Sequence, residues 1–373
     1  MEGRPGTTVS LDGSKYLYFA GTSYFQLHTH PDVVQSAVDV THKFGMGSAT
    51  TRQLSGTTPL LQKIELKLAS FFNTEDAVYL PSGYLSSLAG LKALNELGLY
   101  DVIFLDEGSH YSLVEGAMAV GKPVFLYRNR DAKDLGSKIS EHLDSGKRPL
   151  IATDGLFPVI AKLAPLGDIL YLADKHEGVV WVDDAHGVGI LGAHGRGSCE
   201  ALGARSDRIY LGATLSKAFG AYGGIIVGPG NFIAKVRSGS VMTGSSSPLN
   251  AAVAAATKGL ELVQDNPGMR KKLWTNARYL TENLGELGIS SESRYIPEMH
   301  GIIPIKSFSS GDAKTNQSIH SYLMEQGIYI QYTDYKGAEP GGVLRIVVSS
   351  SHKKVEIVRL TSALKEAFRQ FNS

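Results

Sequence analysis

The strongest constraint on the fold of this 373-residue chain is a series of short, nearly uninterrupted apolar runs, separated by stretches of helical periodicity. VIFLD (102–106), PVFLY (123–127), LIATDG (150–155), VVWVDDA (179–185) and RIYLGAT (208–214) have strand length but lack the apolar–polar alternation of a strand with one wet face. Such strands must be covered on both sides, and helical connections leave successive strands parallel. A mostly parallel sheet between helical layers, an α/β fold, is therefore expected. Polar residues collect where the runs end, at Ser82-Gly83-Tyr84 after a further run, AVYLP (77–81), and at Asp106, Asp154-Gly155, Asp183-Asp184 and Thr214. This is the edge at which open α/β sheets place their ligands.

Around that sheet, alternating runs about Asp12-Gly13 predict a hairpin over 8–20, and a helical pattern starts after Pro31-Asp32. Residues 45–58 are too rich in glycine and threonine to sustain a helix, and a helix follows over about 60–72. A long helix over 250–264, ending before Pro267, leads to expected strands GIIPI (301–305), IYIQY (328–332) and LRIVV (344–348). The expected organisation is an N-terminal hairpin segment (1–30), a large domain (31–255) and a small C-terminal domain (256–373).

Charge and cysteine content narrow the function. With Lys+Arg 37 against Asp+Glu 36, nothing general attracts nucleic acid or an anionic membrane, and a small-molecule substrate is the simpler expectation. One cysteine, Cys199, allows no internal disulfide and suggests a reducing cytoplasm. No metal site is expected, because no histidines or cysteines stand at ligand spacing. No stretch of about 18 uncharged apolar residues offers a membrane span.

The segment ATLSKAFGAYGG (213–224) sets Lys217 after a strand, among small residues and glycines. Crowding and partial desolvation lower an amine's pKa and make it a nucleophile toward an aldehyde. Upstream, VVWVDDAHG brings Asp183, Asp184 and His186 to the same edge. Pyridoxal phosphate needs a carboxylate beside its ring nitrogen, since only the protonated ring accepts the electron pair released at a substrate α-carbon, and either Asp183 or Asp184 could supply it. Ser82-Gly83-Tyr84 opens a helix whose backbone N–H groups can meet a phosphate. Taken singly these are an ordinary surface lysine, a capped turn and a loop. Only their combination points to pyridoxal 5′-phosphate.

SGY (82–84), DEGSH (106–110), VDDAHGVGILGAHGRG (182–197), TLSKAFGAYGG (214–224) and VLRIVVSSSH (343–352) together resemble the α-oxoamine synthases, of aminotransferase fold type I, from about Thr22 to the C-terminus. The resemblance implies a large domain with a mostly parallel seven-stranded-type sheet and a smaller α+β domain. It implies that Lys217 holds the cofactor as a Schiff base, that Asp183 pairs with the pyridine nitrogen, that His186 meets the phenolic oxygen and that His110 stacks on the ring. Ser82, Gly83, Tyr84 and Thr214 would surround the phosphate. Ser245 and Ser246 would reach the phosphate of a second subunit, implying a homodimer with shared sites. Arg345 would grip the substrate carboxylate, and Ser23 stands where the family places a substrate-side asparagine.

The family joins an amino acid to an acyl thioester, so the implied reaction is a decarboxylative condensation of L-alanine, glycine or L-serine with an acyl-CoA to give an α-amino ketone. The 8-amino-7-oxononanoate synthase branch is the first expectation, with the glycine C-acetyltransferase and serine palmitoyltransferase branches as rivals. An aminotransferase or a non-catalytic partner subunit would be a different class. Departures concern the substrate side: Pro158 replaces a serine in Asp154-Gly155-Leu156-Phe157-Pro158, Leu61-Gln62 replaces a histidine, and Lys336 replaces a substrate-contacting threonine.

Overall fold

The computed structural model describes residues 1–289, 302–335, 338 and 340–371. Its centre is a seven-stranded sheet in the order Asp76–Leu80, Gly224–Gly228, Ile209–Thr214, Val179–Asp183, Pro149–Asp154, Val102–Asp106 and Val124–Tyr127. All five apolar runs lie in it, VIFLD with both ends as expected and the other four with an end shifted by one or two residues; VVWVDDA stops being a strand at Asp183. Only Gly224–Gly228 runs antiparallel, against both of its neighbours. Its two terminal glycines and short length hid it among the glycines after Lys217, yet Ile225 and Ile226 are wholly buried.

Apolar side chains from both sheet faces enter separate cores. Tyr79, Ala213 and Ile225 join one with the helix Pro59–Phe72, while Val78, Trp181 and Ile226 join another with the helix Tyr84–Glu96. That two-sided burial is why these strands read as continuous rather than alternating. The helix Pro59–Phe72 begins where expected, with Pro59 in its first turn and Thr58 Oγ1 accepting the Leu61 N–H. It stops at Asn73, whose φ of 56° is left-handed. The stretch 45–58 is irregular but includes a five-residue wide turn, Arg52–Gly56.

The C-terminal strands depart from expectation. GIIPI is not a strand along its described length: the strand is Ile305–Phe308, entered after Pro304, which has no N–H for a ladder. IYIQY divides between two sheets. Ile328–Tyr329 runs parallel to the N-terminal hairpin strand Ser14–Tyr18, and Gln331–Thr333 pairs with Val343–Val347. The hairpin is thereby joined to the C-terminal part of the chain. Strands Ile305–Phe308, Val343–Val347 and Gln331–Thr333 form a three-stranded antiparallel sheet covered by the helices Ala313–Glu325 and Lys354–Phe371. No helix among the described residues is long and apolar enough to cross a membrane.

Candidate active site

Five central strands end at one cleft of about 150 Å³. Ser82, Gly83, Tyr84 and Thr214 line one part of it, and His110, Asp183, His186 and Lys217 another. The lysine is half-buried, and among the described residues its side-chain amine has no hydrogen-bond partner. Burial lowers its pKa to about 8, against the opposing pull of Asp183 and Asp154. An amine so placed is a usable nucleophile and proton carrier near neutrality.

Asp183 and Asp184 separate cleanly. Asp183 faces the cleft, where its Oδ1 accepts the Ala185 N–H at 3.1 Å and Oδ2 accepts from Ser87 Oγ at 3.4 Å. Burial raises its pKa, and Lys217 is the largest influence pulling it back down. Asp184 instead accepts the Ser198 N–H at 2.7 Å and is wholly buried behind the strand end. Backbone closes tightly over it: a Cβ on Gly187 would stand 2.0 Å from Asp184 Oδ1, and one on Gly197 would stand 1.9 Å from Oδ2. Gly187 and Gly197 of HGVGILGAHGRG therefore close over the second aspartate, and burial pushes that carboxyl up to about 7.

The Ser82–Tyr84 turn has the form of an anion cradle. Helix Tyr84–Glu96 starts there with no side-chain cap, and a Cβ on Gly83 would lie 2.5 Å from Thr214 Cβ, so only glycine lets the two come this close. Thr214 Oγ1 lies 2.8 Å from Ser216 Oγ and donates to the Gly223 carbonyl at 3.1 Å. Across the cleft, Ser112 N–H donates to His110 Nδ1 at 3.2 Å, and His110 N–H donates to Asp154 Oδ1 at 3.2 Å. An amine, an acid, two imidazoles and an uncapped helix start around one cleft fit the aldehyde, ring nitrogen, ring face and phosphate of pyridoxal phosphate.

Arg345 approaches from the C-terminal sheet. Its Nε donates to the carbonyl of Pro158, a cleft residue, and its Nη1 donates to Gln331 Oε1, both at 2.9 Å. The buried Nη2 has no partner among the described residues, leaving a donor suited to a carboxylate. Pro158, standing in place of a serine, thus serves the arginine through its main chain.

Three expected residues lie elsewhere. Ser23 does not line the cleft; its hydroxyl pairs with His28 Nδ1. Ser245 Oγ donates to the Val241 carbonyl at 2.6 Å and Ser246 bridges to Thr51, so neither lines this chain's cleft. Lys336 falls outside the described residues. Sequence reasoning also passed over Asp154, Tyr24 and Gln331. Asp154 carried the signal of a polar strand end, and the register sets it beside Asp183. Tyr24 and Gln331 carried none, because tertiary packing alone brings them to His186 and Arg345.

A family model described as aminotransferase class I and II matches residues 10–364. The chain is 33% identical over 360 residues to an 8-amino-7-oxononanoate synthase of Thermosipho melanesiensis, covering 96% of this chain and 89% of that protein. A protein of the same name from Symbiobacterium thermophilum is 30% identical, with 96% and 90% covered. Among solved structures, a Sphingomonas wittichii serine palmitoyltransferase superposes with a TM-score of 0.89 at 24% identity, covering 98% of this chain and 90% of that one. An 8-amino-7-oxononanoate synthase of Francisella tularensis superposes with a TM-score of 0.79 at 20% identity, covering 96% and 99%. The seven-stranded sheet and the cleft at its strand ends are thus those of fold type I, and the chain belongs to the aminotransferase class I and II family as an α-oxoamine synthase.

Proposed function

We propose that this enzyme condenses a small amino acid with an acyl-CoA, with loss of carbon dioxide, as an 8-amino-7-oxononanoate synthase does, with L-alanine as the amino acid. The observation that carries the reading is the half-buried Lys217 amine, without a hydrogen-bond partner among the described residues, in one cleft with Asp183 and the Gly83–Thr214 cradle. Pyridoxal phosphate, when bound, supplies an electron sink for the pair left at the substrate α-carbon.

The chain's own groups divide the remaining work. Lys217 Nζ would hold the cofactor and, once displaced by the substrate amine, take the α-proton. Asp183 would keep a proton at the ring nitrogen, and His110 would fix the ring plane from one side. Thr214 and the Gly83 and Tyr84 N–H groups would bind phosphate, with Ser82 beside them. His186 would donate to the phenolic oxygen, and Arg345 Nη2 to the substrate carboxylate. A thioester needs no further acid to expel coenzyme A, a stable thiolate.

A homodimer belongs to this reading. Phe44, Met46, Leu54 and Leu249 are 52%, 59%, 80% and 53% exposed, and Asn250 N–H donates to the Met46 carbonyl close to Ser245 and Ser246. A second copy covering this apolar surface would carry both serines toward its own phosphate site. A reducing cytoplasm suits a chain with one cysteine.

The test is the absorbance of purified protein reconstituted with pyridoxal phosphate, before and after L-alanine, glycine or L-serine, followed by thiol release with an acyl-CoA panel. A cofactor band that responds to L-alanine and is lost or altered in Lys217→Ala, with turnover down at least about 10³-fold, is the expected result. No band after reconstitution would refute the reading, and a keto acid without thiol release would make the protein an aminotransferase.

A further inference from the structure

Tyr24 has a place in this site that no motif announces. Its side chain is wholly buried, and its hydroxyl lies 2.8 Å from His186 Nδ1. Among the described residues this is the only hydrogen bond of the phenol and the only one of the imidazole. We infer that Tyr24 is a positioning residue that sets the tautomer of His186: its O–H donates to Nδ1 and leaves the ring proton on Nε2, available to an anionic oxygen in the cleft.

The direction follows from counting protons. Tyr24 has a single O–H and no acceptor other than Nδ1 among the described residues. Burial holds the phenol well above its ordinary range, so it keeps that proton. Burial, reinforced by Lys217, Arg345 and His110, pushes the imidazole well below its ordinary value, so the ring is neutral and carries one N–H. A neutral imidazole that accepts at Nδ1 bears its hydrogen at Nε2.

The tyrosine is itself held. Its carbonyl accepts the Ser350 N–H at 2.8 Å, and the carbonyl of Phe19 accepts the Val347 N–H at 2.7 Å, two residues beyond Arg345. Its ring meets His186 edge-on, with centroids 6.4 Å apart and planes at 73°. The segment after the hairpin therefore ties the strand that carries Arg345 to the imidazole. The inference rests on the proposed function in one respect, that the oxygen facing His186 is the phenolic oxygen of the cofactor.

The decisive experiment is nitrogen NMR of the cofactor-free enzyme labelled with ¹⁵N-histidine, the His186 ring being identified by the signals lost in His186→Asn. Wild-type enzyme should show an accepting Nδ1 and a protonated Nε2. In Tyr24→Phe the two tautomers should mix, affinity for pyridoxal phosphate should fall about three- to tenfold, and the pH midpoint of the bound cofactor's absorbance should move. The groups that also face this imidazole are Lys217, Arg345 and His110, all unchanged in the variant. A wild-type Nδ1–H would overturn the inference whether or not the variant folds, and so would a Tyr24→Phe enzyme with the wild-type tautomer and absorbance midpoint. Wild-type protein that shows the Nε2 tautomer but takes up no pyridoxal phosphate would refute the function while leaving the tautomer assignment standing.

Discussion

Lys217, Asp183, Thr214, His110 and Ser82 reach the cleft from the ends of strands in one sheet, whereas Arg345 and Tyr24 arrive from the three-stranded C-terminal sheet and from the segment after the N-terminal hairpin. On the first side each functional residue sits within a few positions of a buried strand, so its location follows from parallel topology. On the second side geometry depends on pairings across long sequence separations: Gln331 with Arg345 across a ladder, Pro158 with Arg345 between sheets, and Tyr24 with His186. The difference teaches that the cleft's lysine, aspartate and stacking-side histidine stand on a regular scaffold, whereas Arg345 and Tyr24 stand on a wall assembled from distant segments.

The sharpest way to break this division is at the adjacent aspartates. Asp183→Asn should lower turnover by on the order of 10²- to 10³-fold with near-native stability, measured by steady-state thiol release beside a denaturant titration. Asp184→Asn should keep turnover within about threefold, because the asparagine carbonyl can still accept the Ser198 N–H. Equal losses in both variants would show that the two carboxylates work as a unit.

A smaller effect reports the burial of Asp184. Burial pushes its folded carboxyl up to about 7 from an ordinary carboxylate value near 3.8, so the native state binds the proton more tightly and stability falls as pH rises between those values. Denaturation midpoints should decline over that interval by an amount worth up to about 4 kcal/mol, and Asp184→Asn should remove much of the decline. A wild-type profile that rises through this range would mean other groups govern it.

The smallest expected effect lies on the assembled wall. Arg345→Lys loses the planar fork that serves Pro158, Gln331 and the open Nη2 position together. The Michaelis constant for the amino acid should rise about tenfold, with a smaller change in kcat, read from initial rates at saturating acyl-CoA. A loss confined to kcat would place Arg345 among the groups of the scaffold instead.

The sheet was legible because two-sided burial writes itself as continuous apolar runs, and Lys217, His186 and the SGY turn were legible because each stands just past such a run. Gly224–Gly228 was not, since its glycines hide a central strand, and neither was the division of 328–333, because a strand that changes sheets leaves no break in its apolar pattern. The amino-acid sequence by itself determined a mostly parallel sheet, the edge where ligands collect, and a lysine, aspartate and histidine suited to pyridoxal phosphate. Only the tertiary structure decided that Asp183 faces the cleft while Asp184 is wrapped in glycines, and that Tyr24 meets His186. Periodicity records which face of an element is buried, but contacts between distant segments depend on how the elements pack, which no local pattern encodes.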